Sequence, residues 1–321
     1  MSFWRTALAR PETSVVIGTI LVVLFFTIST GGAWLSTLPS VFRVTAQVGL
    51  IAIGQAFLMS SGEIDLSVGS TFAVAGLVAI WAMDILTLGV APAFLVALAA
   101  SSLIGLVMGV FTVYFKVPSM IVTLGALFVL RGIAYISTQG FSLSIPREFR
   151  KDPLVLLAKA KTFDLNNTFI VLLVATVILA IVLSRTRFGS HVLAVGGDAS
   201  AALANGISPA ATKIKAFMVC SAFAGLSGIL VLFQEGSVYS TSGIKLELEA
   251  IAAAVIGGCT LRGGSGSIWG PVLGVFVLSS LKGGLMMLGA PTSWYIGLVG
   301  ALLIGFLIVS QVISASTQPT A

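Results

Sequence analysis

The strongest constraint in this sequence is a succession of long apolar runs with almost no charge inside them. A helix needs roughly 20 apolar residues to cross a bilayer. In lipid a chain must satisfy its own backbone hydrogen bonds, so helices are the default spanning form. Such runs cover about residues 15–29, 41–59, 66–85, 91–115, 118–136, 168–183, 214–233, 249–259, 268–288 and 293–313. The first is slightly short, and the eighth is short enough to be a broken or partial span. Composition agrees, with 57% hydrophobic and 9% charged residues, where a soluble domain carries about 25% charged. The fold expected is an all-α polytopic membrane protein. It has about ten transmembrane helices in one domain over residues 1–321, and both termini on one side.

The start, MSFWRTALARPETS, is basic but lacks a small-residue cleavage site before its apolar run. That run therefore reads as a first span rather than a removed leader. Residues 314–321 are expected to be a flexible tail. The net charge of +6 comes from basic residues scattered singly between apolar runs. There they set topology or meet lipid headgroups, and they do not form a nucleic-acid surface. With the N-terminus inside, inner and outer segments hold eight basic residues each. The charge rule is thus silent on orientation, and the basic N-terminal segment only leans towards inside. Cys220 and Cys259 lie in apolar surroundings and read as packing residues, not a disulfide.

Gly105 with Gly109, and Gly270 with Gly274, stand four apart on one helix face, where helix backbones can approach closely. A faint internal echo links GEIDLSVG (62–69) and GGSGSIWG (263–270), each between a shorter and a longer apolar run. Transporters are often built from duplicated halves, so two related halves are an expectation here.

Few residues could carry chemistry. Glu63 and Asp65 adjoin the third run. Asp65 reads as the cap of that helix, both acids being favoured by the helix dipole. The other reading is an ion or proton site, because acids at membrane depth are costly. Glu247 and Glu249 stand likewise before the eighth helix, with Glu249 a cap or structural acid. Arg131 and Lys282 are expected to snorkel to the interface. His191 is alone, with no second His or Cys beside it to make a metal site. The GxSxG and HExxH patterns are absent, as is a GxxxxGK phosphate loop. The chain is expected to bind no cofactor itself, and any ATP must be handled by another subunit.

The most informative polar stretch is 185–213, RTRFGSHVLAVGGDASAALANGISPAATK. Asp198 is a good N-cap, Ala199 to Asn205 are small helix formers, and Gly206 can end the helix in the left-handed conformation. Ser208 and Pro209 then start a second helix that runs on into apolar sequence. Ala202 and Leu203, with Ile207 four residues after Leu203, can present an apolar knob. These signals fit either a short helix that docks into a partner's groove or an ordinary connecting loop.

Five stretches in order resemble the ribose/xylose-type permeases of bacterial ABC importers. They are GEIDLSVGS (62–70), VPSMIVTLGALFVLRG (117–132), RTRFGSHVLAVGGD (185–198), AALANGIS (201–208) and EAIAAAVIGGCTLRGGSGSIWGPVLG (249–274). The resemblance implies a ten-helix inner-membrane permease that moves a small sugar or polyol by alternating access. It implies a second permease subunit, two cytoplasmic ATPase subunits that hold ATP and Mg, and a periplasmic sugar-binding protein. It places residues 1–13 and 185–213 in the cytoplasm and 138–166 outside. Gly197, Asp198, Ala199, Ala202, Leu203, Asn205 and Gly206 then form the helix that couples to the ATPase. Asp198 stands where the family often has asparagine, and Ser190 where it often has a basic residue. Arg147, Arg150, Lys151 and Lys245 in the outer segments become candidates for docking the binding protein. The runner-up is an ion-coupled secondary transporter working without an ATPase, which would need ionisable residues at mid-span.

Overall fold

The computed structural model describes residues 11–162, 164–291, 293–302 and 304–305. The N-terminal part of segment 1–13 and the tail 314–321 therefore lie outside the described residues. Among the described residues, each apolar run falls on a helix. These are α1 (Pro11–Ser29), α2 (Leu38–Ser60), α3 (Val68–Asp84), α4 (Val90–Tyr114) and α5 (Ser119–Thr138). After a mixed segment with the short α6 (Pro153–Lys159) come α7 (Asn167–Arg185), α8 (Arg187–Gly197), α9 (Ala199–Ala204) and α10 (Pro209–Glu235). The chain continues with α11 (Leu246–Ile256), α12 (Trp269–Met287) and α13 (Ser293–Leu302). The protein is thus an all-α polytopic membrane protein. Among the described residues, six helical stretches are long and apolar enough to cross a bilayer: 33–60, α4, α5, α7, α10 and α12. The 11-residue α11 is about 16 Å long at 1.5 Å per residue, half a hydrocarbon core.

α2 and α10 form the centre. α10 packs along α4, α2 and α3, while α2 also meets α12, α11 and α7. From Thr45 to Ser60 nearly every residue of α2 is buried. A helix apolar all round suits such an enclosed place better than the rim. The two glycine pairs serve close packing. A Cβ on Gly105 would lie 2.8 Å from Met218 Cα, and one on Gly109 2.8 Å from Ile214 Cα. Gly270 and Gly274 meet the backbone of α11 and its end in the same way. Cys220 and Cys259 are both buried free thiols.

α10 fixes two ends of the bundle, since its 27 residues span about 40 Å. At its C-terminal end, β1 (Leu143–Ser144) pairs antiparallel with β4 (Ser237–Val238). A second pair joins β2 (Lys161–Thr162) to β3 (Leu165–Asn166). Gln234 Nε2 donates to Asn166 Oδ1 at 2.7 Å and to Thr168 Oγ1 at 2.9 Å, which ties this segment to α10. At the other end lie 61–63, 185–213 and 257–268, and residues 64–67 run inward from there, Asp65 reaching Ser221 midway along α10. Segments 138–166 and 185–213 therefore occupy opposite ends.

The helix centre of α3 starts inside the bundle rather than at a surface. Its Gly69 packs against Gly243, where a Cβ would sit 3.0 Å from Phe72 Cδ1. Segment 239–245 thus dips into the bundle. Arg131, about 10 Å below the C-terminal end of α5, donates through Nη1 to the Ser240 and Ser242 carbonyls, both at 2.7 Å. Arg131 therefore does not snorkel outwards. It holds backbone groups that the dip would leave without water.

Candidate functional site: the 185–213 segment and the loops it touches

The segment holds the expected short helix α9 and the start of α10, and before them a helix that was not expected, α8. Thr186 opens α8 by accepting from Gly189 N–H at 3.2 Å. α8 was not legible beforehand, because FGSHVLAVGG mixes glycines with β-branched residues of low helix propensity. Asp198 caps α9 as expected, its Oδ1 accepting from Ser200 N–H at 2.8 Å and Ala201 N–H at 3.0 Å. Gly206 has φ +79°. Gly206 N–H donates to Leu203 O at 2.9 Å and Ile207 N–H to Ala202 O at 3.0 Å, a closed Schellman end. Asn205 Nδ2 donates to Ala201 O at 2.8 Å. Ser208 Oγ accepts from Ala211 N–H at 3.3 Å and starts α10 beside Pro209. A helix of six residues is far below the length stable alone in water. These caps at both ends are what hold it.

The faces of α9 differ from the expected knob. Ala202 is 4% exposed and turned into the chain, while Leu203 is 62% exposed. The reason is the helical period: neighbouring residues point about 100° apart. Gly197, Asp198, Asn205 and Gly206 are exposed and Ala199 half-buried. The arrangement presents Leu203 on a rigid two-turn element, with Ala202 as packing beneath it.

α8 delivers the segment onto two membrane-side loops. Gly264 N–H donates to Ser60 O at 3.0 Å. A Cβ on Gly196 would overlap Ser60 O and lie 2.5 Å from Gly264 N. One on Gly263 would lie 2.6 Å from Gly62 N and 3.0 Å from Gly196 O. The echoed stretches 62–69 and 263–270 thus meet each other and the end of α8, backbone against backbone.

Asp65 is fully buried in loop 61–67. It does not cap α3, whose N-cap is Ser67 with no side-chain cap bond. Its Oδ1 instead accepts from Ser67 N–H at 2.7 Å and Ser67 Oγ–H at 2.6 Å, closing the turn before the helix. Its Oδ2 accepts from Ser221 Oγ–H of α10 at 3.3 Å. In the amide orientation that satisfies both groups, Gln55 of α2 donates to Asp65 O at 3.2 Å and accepts from Asp65 N–H at 3.1 Å. Ile64 and Leu66 N–H donate to Ser119 Oγ and Thr123 Oγ1 of α5 at 3.4 and 3.0 Å. Glu63 accepts from Lys213 Nζ at 2.6 Å. Four helices thus converge on one seven-residue loop. Gln55 was missed, although it is the lone amide between Val48 and Ser60 of α2.

Glu249 is not a cap either. α11 begins at Leu246, so Glu249 lies in its first turn. It lies beside Tyr295 of α13 and attracts Lys282 of α12, whose Nζ lies 5.4 Å from the Tyr295 ring centre. Glu249 is a structural acid that joins three helices. Glu247 sits close enough to Arg131 for the two charges to attract. Arg147, Arg150 and Lys151 are exposed on one segment. Arg150 Nε is committed to Ile145 O at 3.0 Å. Lys245 is exposed too, but it follows the dipping stretch with φ +71°.

No solved structure matches this chain. A family described as branched-chain amino acid transport system / permease component matches residues 37–307. The xylose transport system permease protein XylH of Escherichia coli (strain K12) is 32% identical, over 89% of this chain and 88% of that one. The L-arabinose ABC transporter permease protein AraH of Azospirillum brasilense is 32% identical, over 80% and 74%. The ribose import permease protein RbsC of Escherichia coli (strain K12) is 29% identical, over 94% of both. The chain belongs to the family of ABC-importer permease subunits that holds these ribose- and xylose-type proteins.

Proposed function

We propose that this permease subunit moves a small sugar or polyol across a bacterial inner membrane by alternating access. The relatives named for xylose, arabinose and ribose support that substrate class. The working unit pairs this chain with an identical or paralogous permease and two cytoplasmic ATPase subunits, which hold ATP and Mg. A periplasmic binding protein delivers the sugar. In this reading the chain passes the membrane ten times as two related halves, with both termini and 185–213 in the cytoplasm.

The observation that carries the proposal is α9, a helix capped at both ends that exposes Leu203 at one end of the bundle. Such a knob suits a groove on the ATPase. Gly197, Asp198, Ala199, Asn205 and Gly206 shape the element, and Ala202 seats it. Closure of the ATPase pair would move it and reorient the bundle, a rigid-body transition between packed states. At the opposite end Arg147 and Lys151 offer charge to acidic residues of the binding protein, which steers encounter. Arg150 acts mainly in shaping their loop, and Lys245 approaches from the dipping segment.

The test is reconstitution in proteoliposomes with the ATPase and binding protein. Uptake that needs both partners and ATP is expected. Uptake by this chain alone on an ion gradient, indifferent to ATP, would overturn the proposal in favour of a secondary transporter.

A further inference from the structure

Segment 185–213 is fastened to the membrane body on both sides of α9. On the α8 side the fastening is the glycine junction of Gly196, Gly263 and Gly62, with the Gly264–Ser60 hydrogen bond beside it. On the α10 side it is the ion pair of Lys213 and Glu63, 2.6 Å long, whose side chains are only 23% and 12% exposed. Both fastenings end on loop 61–67 or on Ser60 just before it. Everything between them is short and stiff: α9 with its two caps, then the Ser208–Pro209 helix start.

Loop 61–67 is well placed to receive a displacement. Asp65 bonds Ser67 at the entry to α3 and Ser221 on α10, Gln55 of α2 brackets its backbone, and Ser119 and Thr123 of α5 hold its neighbours. Moving this loop therefore acts on four helices together, at the start of α3 and α5, near the end of α2 and midway along α10. Packed interiors of this kind pass strain on rather than absorb it. Glu63 is the one side chain of the loop that bonds a cation of the 185–213 segment.

We propose that the Lys213–Glu63 pair is a strut that transmits α9 motion to loop 61–67, and that Glu63 and Lys213 are positioning residues for transport. This rests on the reading of α9 as the ATPase-coupling helix. A partly buried pair is screened less than a surface one, so it can hold its geometry at physiological salt. A plain stabilising contact would affect folding and assembly. A strut affects how much sugar moves for each ATP hydrolysed.

The experiment compares Glu63→Gln, Lys213→Met and the double exchange Glu63→Lys with Lys213→Glu in the full reconstituted complex. Three quantities are read: co-purification of the ATPase, ATP hydrolysis, and xylose or ribose carried per ATP. Each single variant should keep the ATPase but carry about fivefold less sugar per ATP, the low end of ordinary coupling energies. The exchange should recover most of that loss. Single variants with an unchanged ratio would overturn the proposal. So would single variants that fail to insert or assemble, or an exchange as impaired as either single. An ATPase that never co-purifies with the unaltered chain would instead refute the coupling role of α9 itself.

Discussion

Replacing Leu203 by alanine tests the ATPase-docking role of α9 most directly. Leu203 is 62% exposed. Full burial of a leucine side chain is worth about 1.5–3 kcal/mol, so covering the exposed share would contribute about 1–2 kcal/mol. Losing that corresponds to about 5- to 30-fold weaker binding at one docking site. The caps at Asp198 and Gly206 are untouched by the change, and alanine is the better helix former, so α9 should persist. Leu203→Asp should weaken binding further, because an unpaired carboxylate would have to be desolvated in the groove. The assay is a titration of purified ATPase subunit onto the permease in nanodiscs. Ala202→Arg is the wrong probe, because Ala202 is packed inside this chain and a bulky residue there disturbs its seat. A Leu203→Ala variant that binds the ATPase as tightly as the unaltered chain, with the same elution profile, would refute the docking role of α9.

Three further outcomes follow from the geometry. Gly196→Ala should destabilise the protein by about 1–3 kcal/mol or more through overlap with Ser60 O, whereas Gly132→Ala, with open space around it, should be neutral or slightly stabilising; equal melting in detergent would contradict this. Asp65→Asn keeps an oxygen for Ser67 N–H and should be mild, while Asp65→Ala strands buried Ser67 and Ser221 hydroxyls at about 1–3 kcal/mol each; loss of transport in a well-folded Asp65→Asn protein would point to an ionic role instead. Reversing Arg147 and Lys151, with Arg150 left to hold Ile145 O, should weaken stimulation of the ATPase by the binding protein in a salt-dependent way; equal loss of basal hydrolysis would count against docking there.

What the sequence determined by itself is local. Apolar runs marked the six membrane-length helices found among the described residues, because a spanning segment needs its length and composition whatever surrounds it. Asp198, Gly206, Ser208 and Pro209 marked the ends of α9 and α10, because a cap is a bond to the next turn. The spaced glycines marked close helix packing for a similar reason.

Only tertiary structure decided the rest. Asp65 could have capped its own helix, but its carboxylate reaches Ser221, 156 positions away in the chain. Arg131 could have reached for the interface, but carbonyls more than a hundred residues away needed its donors. Ala202 and Leu203 are equal partners in sequence, and only the packing around α9 made one a seat and the other a knob. The echo between 62–69 and 263–270 gave no sign that the two stretches touch. Their contact exists because three backbones, freed of side chains at Gly62, Gly196 and Gly263, are brought to one place by helices that each had to bury an apolar face.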